Sequence, residues 1–218
     1  MKLIFTSLLI FLSLPASSAK YSGCEDPQYK TYVSKSLAFY DEAEKESYIK
    51  ALDKLKETSF EDLDSSEKRL YLHTNTIPSA KFDTKELAMK NINRFEEIQA
   101  QMPFNFKSGD IPHRVNIAKG WIALNAGDEK AAISHLLSST NTKGSPVLGS
   151  FGPDKTLIRA LYQRGHIEPV LKYLSLSESF WNTDNAKSIM NVWRKMIKND
   201  CPIQFNFYDT ISIKELGL

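Results

Sequence analysis

The chain has 218 residues, with 28 lysines and arginines against 26 aspartates and glutamates and a formal charge of +2. A near-neutral balance with no Lys/Arg block argues against nucleic acid or an anionic membrane surface as partner, and this length suffices for one domain with a sizeable core. The two cysteines and four histidines include no HExxH or CxxC motif and no other metal-binding spacing, so neither a metal nor a cofactor is expected.

The first twenty residues, MKLIFTSLLIFLSLPASSAK, carry one early cation (Lys2), an apolar run from Leu3 to Leu14, a helix-breaking Pro15 and small residues at Ser17 and Ala19. This reads as a secretory signal peptide over 1–19. The run is shorter than the about 20 apolar residues a spanning helix needs, and no later segment is apolar enough to span. The expected location is periplasmic or secreted. Export favours a disulfide between Cys24 and Cys201, tying the first element to the last. The rival reading is a lipid anchor at Cys24, for which Ser22 and Gly23 supply small residues but no aliphatic residue stands three before the cysteine. The two readings exclude each other.

N-terminal helices are expected over 20–112. Asp26-Pro27 starts the first with a capping carboxylate and a proline. Tyr29, Val33, Leu37 and Tyr40, then Tyr48, Leu52 and Leu55, form an apolar stripe over one long helix or two abutting ones. The charges Asp41, Glu42, Glu44, Lys45 and Glu46 read as its solvated face. A shorter helix begins near Asp64-Ser65-Ser66 and ends at Pro78. Asp83 with Glu86 reads as a capping box for a helix carrying Leu87, Met89, Ile92, Phe95 and Ile98, stopped by Pro103. FNFKSGDIP then connects, its two aromatics expected on the core.

Residues 113–200 read as two helical hairpins and a closing helix. In the first hairpin Gly120, Ala123, Gly127, Ala132 and Leu136 are matched by Ile158, Leu161, Gly165, Val170 and Leu174 in the second. Small and apolar residues there allow close helix approach, and a left-handed glycine closes the first helix of each pair. Between the hairpins lies NTKGSPVLGSFGPDKT, an aperiodic loop long enough to be functional or self-packed, with Pro153 placed to begin the next helix. Asp184 caps the last helix of this part. In 201–218, Ile203, Phe205 and Phe207, then Ile211 and Ile213, alternate with polar residues, so an extended C-terminal tail laid over the helices is expected. The fold class is all-α, and 20–218 reads as one domain.

The first hairpin resembles the tetratricopeptide repeat in the spacing of Gly120, Gly127, Ala132 and Leu136, although Ala123 stands where that family often has an aromatic. The second hairpin matches in its apolar positions and Gly165. KGSPVLGSFGPDKTLIRAL with the GHIEPVLKYLSLSESFW segment is similar to a group of uncharacterised bacterial exported proteins carrying a GSPxLxSFGP loop, a resemblance over about a third of the chain. It implies a tetratricopeptide-like superhelix in a bacterial envelope and no activity. Such repeats bind peptides or partner helices on a concave face, which is analogy at the level of fold.

Catalytic readings find little to build on. Ser150 in Gly149-Ser150-Phe151-Gly152 lacks the spacing and preceding strand of a nucleophile elbow. The glycine loop lacks the P-loop Lys-Ser/Thr, and Pro153 removes an amide from any phosphate cradle. His113 and His166 stand near helix starts, where a surface or capping role is expected. The reading these residues favour is a protein- or peptide-binding module of the envelope, without catalysis. Its contact groove would comprise Asn116, Gly120, Trp121, Ala123, Gly144, Ser145, Pro146, Ser150 and Phe151. The alternatives are a structural or lipid-anchored accessory component, or a hydrolase of cell-wall or peptide substrates.

Overall fold

A computed structural model of the chain describes residues 19–103 and 109–218. The expected signal peptide falls almost wholly outside the described residues, as do Phe104 and Phe106 of the expected connection. Among the described residues the fold is all-α: ten helices and one 3-10 turn, with no strand.

Helix α1 (Pro27–Glu57) is a single helix. The Asp26 carboxylate accepts the Gln28 amide at 2.8 Å and the Tyr29 amide at 3.4 Å, satisfying donors the helix cannot use itself. Tyr29, Val33, Leu37 and Tyr48 are buried, whereas Tyr40, expected on the same stripe, is exposed. After the 3-10 turn (Phe60–Asp62), Asp64 opens α2 (Ser65–Phe82) with the reciprocal Asp64/Glu67 capping box. Helix α3 spans Lys85–Gln101.

Two expectations fail at these junctions. Pro78 lies inside α2 instead of ending it. A proline within a helix costs about 3 kcal/mol, but Thr76, Ile77, Pro78, Ser79 and Ala80 are all buried, α2 packs against α1, α3 and α4 (Asp110–Asn125), and the Asn125 side-chain amide donates to the Ala80 carbonyl at 2.9 Å. Tertiary burial outweighs the local penalty. The expected carboxylate caps yield to neighbouring threonines: Thr84 caps α3, and Thr183 caps α9 (Asp184–Lys198). Asp83 is taken, since its amide closes α2 on the Ser79 carbonyl and its carboxylate accepts the Tyr48 hydroxyl.

Helices α4 (Asp110–Asn125) and α5 (Glu129–Ser138) pack together, as do α7 (Thr156–Gln163) and α8 (Ile167–Ser177). Both pairs turn through a glycine in the left-handed region, Gly127 at φ +80° and Gly165 at φ +86°. The closing bonds are the same. The Asp128 amide reaches the Ala123 carbonyl and the Gly127 amide that of Leu124, while the His166 amide reaches Leu161 and the Gly165 amide Tyr162. Helix α5 packs on α7 and α8, and α8 on α9. One buried apolar cluster runs from Tyr21 through these helices to Ile213 and Leu216.

The loop between the pairs is partly helical: α6 (Pro146–Phe151) is capped by the Ser145 hydroxyl, which accepts the Leu148 amide at 3.0 Å. The loop is braced from behind. A Cβ at Gly144 would come within 2.8 Å of the Phe180 Cβ, and one at Gly152 within 2.6 Å of the Trp181 ring. Helix α7 begins at Thr156, not Pro153: the Asp154 amide is bonded to His113 Nε2, and the Asp154 carboxylate accepts the Thr156 amide at 2.8 Å. His113 corrects the surface expectation: it is 1% exposed, its Nδ1 lies 3.0 Å from the Ser139 carbonyl, and its Nε2 accepts the Asp154 amide at 2.9 Å. Burial lowers its pKa, and the two bonds select the neutral ring protonated on Nδ1.

The tail is extended only in its first half. Ile203 and Phe205 are buried as expected, and 209–215 forms α10 (Asp209–Glu215) against α9. Asp209, Ser212, Ile213 and Leu216 are buried at i, i+3, i+4 and i+7 while Ile211 faces out, so a helical stripe overrides the two-residue alternation of Ile211 and Ile213. Cys24 and Cys201 form a disulfide with Cα atoms 4.6 Å apart across a sequence separation of 177. The Tyr21 amide donates to the Glu215 carbonyl and the Tyr29 hydroxyl to Pro202, closing both ends on one another.

Candidate functional site

The residues expected to form one groove occupy several places. Asn116 bridges toward α5, its amide on the Pro112 carbonyl and its Oδ1 3.4 Å from His135 Nδ1. Gly120 is buried where α4 meets α5 and α7, and an added Cβ would lie 2.4 Å from Leu157 Cδ2. Ala123 lines a hollow with Met89, Lys119 and His135. Gly144 backs onto Phe180, and the Ser145 hydroxyl donates to Asp110 Oδ1 at 2.6 Å. Pro146 opens α6, and Ser150 and Phe151 are exposed at its end. Trp121 leads, through its indole bond to Thr156, to a further open cleft.

That cleft, about 370 Å³, is lined by Tyr40, Asp41 and Glu44 of α1, Thr156 and Arg159 of α7, and Asn206, Phe207 and Tyr208 of the tail. The tail is fitted to α1 by local bonds. Ser36 donates to the Gln204 side chain at 2.5 Å, Arg159 Nε donates to the Gln204 carbonyl at 2.9 Å, and Phe205 takes φ +53°, a left-handed turn that puts Phe207 outside. Phe207 is 61% exposed, Tyr208 48%, and Phe39 on the adjoining face of α1 69%.

The turn is pinned by Asp209, which is fully buried. Its carboxylate accepts the Gln204 amide at 3.1 Å, the Asn206 amide at 3.0 Å and the Trp193 indole N–H at 2.9 Å. Burial pushes its pKa up to about 6, against the pull of those donors and of the Arg159 charge.

A chain of polar groups underlies the cleft. The Lys81 side chain, 6% exposed, ion-pairs with Glu44 and lies 3.1 Å from Asp41 Oδ1. Its ammonium also sits 5.3 Å from the Trp121 ring centre and 5.0 Å from that of Phe82. The Trp121 indole donates to Thr156 Oγ1 at 2.9 Å, and that hydroxyl donates to Asp154 Oδ1 at 2.6 Å. Burial raises the pKa of Glu44 against the attraction of Lys81. Asp154 is held below the usual carboxylate range, since its bonds from Thr156 and the nearby Arg114 charge overcome burial. Arg114 faces Asp154, Asp110 and Glu44, with its Nε buried and unbonded among the described residues.

Sequence reasoning missed Lys81, Arg114, Asp154, Arg159, Phe207 and Tyr208 as site residues, and it read Asp41 and Glu44 as solvated. The signal that was present is the pair Tyr40 and Glu44, one helical turn apart and hence on one face, in a chain whose tail carries Phe205, Phe207 and Tyr208 close together.

The arrangement joins ring surfaces to carboxylates in an open trough, which suits a side chain with an apolar stem and a polar end. Among the described residues no group of three or more His, Cys, Asp or Glu is placed to hold a metal ion, and no helix is long and apolar enough to cross a membrane. A second hollow, about 480 Å³, is lined by Leu70, His73, Phe95, Ile111 and Val147. No family model, curated protein or solved structure matches the chain, so its site is read from its own geometry.

Proposed function

We propose that this protein is an exported helical module that binds a protein or peptide partner in the bacterial envelope, with the α1–tail cleft as its contact surface. The observation that carries the reading is the gathering of Tyr40, Phe207 and Tyr208 around one trough, with Phe39 beside it. Aromatic side chains are enriched at protein interfaces, and contiguous exposed apolar surface marks interaction sites. The two glycine-turned helix pairs support a tetratricopeptide-like arrangement, with this cleft lying at the edge of the second pair. The disulfide favours an oxidising compartment, and it occupies the Cys24 sulfur that a lipid anchor would need.

Site-specific photocrosslinking tests the reading. A benzophenone amino acid at position 207 in the exporting cell should give a discrete adduct, while the same group at the exposed position 87 on α3 should not. Equal adducts at both positions, or none at 207, would remove the cleft as the contact surface.

A further inference from the structure

The charges around the cleft do not cancel. Lys81 is shared between Asp41 and Glu44, so one ammonium answers two carboxylates. In these pairs the Asp41 side chain stays 54% exposed and that of Glu44 28%. Arg159, the other cation on the lining, is committed elsewhere: its Nε holds the Gln204 carbonyl and its charge acts on buried Asp209. Behind the floor, the two cations Arg114 and Lys155 stand against the two carboxylates Asp154 and Asp110. The two carboxylates of the cleft, sharing Lys81, therefore exceed it by one negative charge, on a lining that also carries Tyr40, Phe207 and Tyr208.

The protein already shows what this combination holds. Lys81 lies between two carboxylates with the Trp121 and Phe82 rings within 5.3 Å. The outer face repeats those ingredients, exposed rings beside the accessible Asp41 carboxylate, and the cation on its lining, Arg159, is bonded through Nε to the Gln204 carbonyl. A trough of about 370 Å³ admits one long side chain. An arginine fits best, because its planar guanidinium stacks on a ring and pairs with a carboxylate in a fork at once.

We propose that the cleft between α1 and the tail takes the arginine side chain of an extended peptide, with Asp41 and Glu44 receiving the guanidinium and Tyr40, Phe207 and Tyr208 receiving its stem and face. This rests on the peptide-binding reading above and adds the chemistry of the ligand.

The test is fluorescence anisotropy of the disulfide-bonded protein with a labelled Ser-Arg repeat peptide, its twin carrying citrulline for arginine, and a labelled N-acetylglucosamine oligomer. Citrulline keeps the shape and removes the charge. The arginine peptide should bind, with the citrulline twin about tenfold weaker or more, as expected when a charge-assisted bond and a cation–π contact are lost. The double substitution Asp41→Asn with Phe207→Ser, both at exposed side chains, should weaken the arginine peptide similarly without moving the melting temperature. Equal affinity for the citrulline twin, or undiminished binding by the double variant, would overturn the inference while leaving peptide binding intact. So would binding of the saccharide alone with loss in Phe207→Ser. No arginine-peptide binding alongside a partner adduct at position 207 would overturn the ligand assignment and keep the contact surface, whereas absence of both would remove the two together.

Discussion

Asp209 joins chemistry to shape at the scale of one residue. Burial raises its pKa to about 6 from the ordinary 3.8, so between those values the folded protein holds a proton that the unfolded chain has released. Stability from this group is therefore fully present below about pH 4 and falls as pH rises to about 6. The total is up to about 3 kcal/mol, at about 1.4 kcal/mol per pKa unit. His113 runs the other way. Its pKa is lowered by burial, so its contribution is present above the ordinary 6.5 and is lost as pH falls through its folded value. Urea midpoints from pH 4 to 7 for wild type and Asp209→Asn separate the two. The difference between the curves should grow with falling pH as protonation relieves Asp209, and a difference independent of pH would contradict the assignment.

At the scale of the element, the glycines divide by mechanism. Gly127 and Gly165 have open space where a Cβ would project and φ near +80°, so alanine there should cost about 1 kcal/mol of backbone strain alone. Gly120→Ala should cost more, because Leu157 and through it the contact of α4 with α7 must shift. Chemical denaturation of the three variants gives the order directly. Gly127, Gly165 and Asp26 were legible in the sequence because their jobs are local: a left-handed turn or a cap is written in two or three adjacent residues. Pro78 was misread because only the packing of α2 against α1, α3 and α4 overrides its local meaning. The helix α10 was misread because two alternating isoleucines imitate a strand until Asp209 and Ser212 join the stripe. The cleft was the least legible, since it depends on Glu44 meeting Lys81 and on Ser36 meeting Gln204, pairs set by tertiary packing. Trp121, expected in the contact groove, stands behind the cleft and reaches its lining through the indole bond to Thr156.

For the whole molecule the decisive feature is closure. The Cys24–Cys201 bond spans a sequence separation of 177, for which chain entropy assigns on the order of 5 kcal/mol of stabilisation. Its second effect is on geometry, because Cys201 anchors the segment whose next residues, 202–208, meet α1 and build one wall of the cleft. Reduction should lower the melting temperature markedly, as calorimetry with and without dithiothreitol would show. It should also loosen the tail before the helices melt, with Phe207 and Tyr208 leaving α1 while α4, α5, α7 and α8 remain paired.

The most direct measurement is the yield of the position-207 photoadduct in the protein with Cys24→Ser and Cys201→Ser, taken at a temperature where circular dichroism shows the helices intact. A binding surface that exists only when the tail is stapled against α1 predicts a steep loss of adduct relative to the oxidised protein. An undiminished yield from a folded, staple-free protein would contradict it.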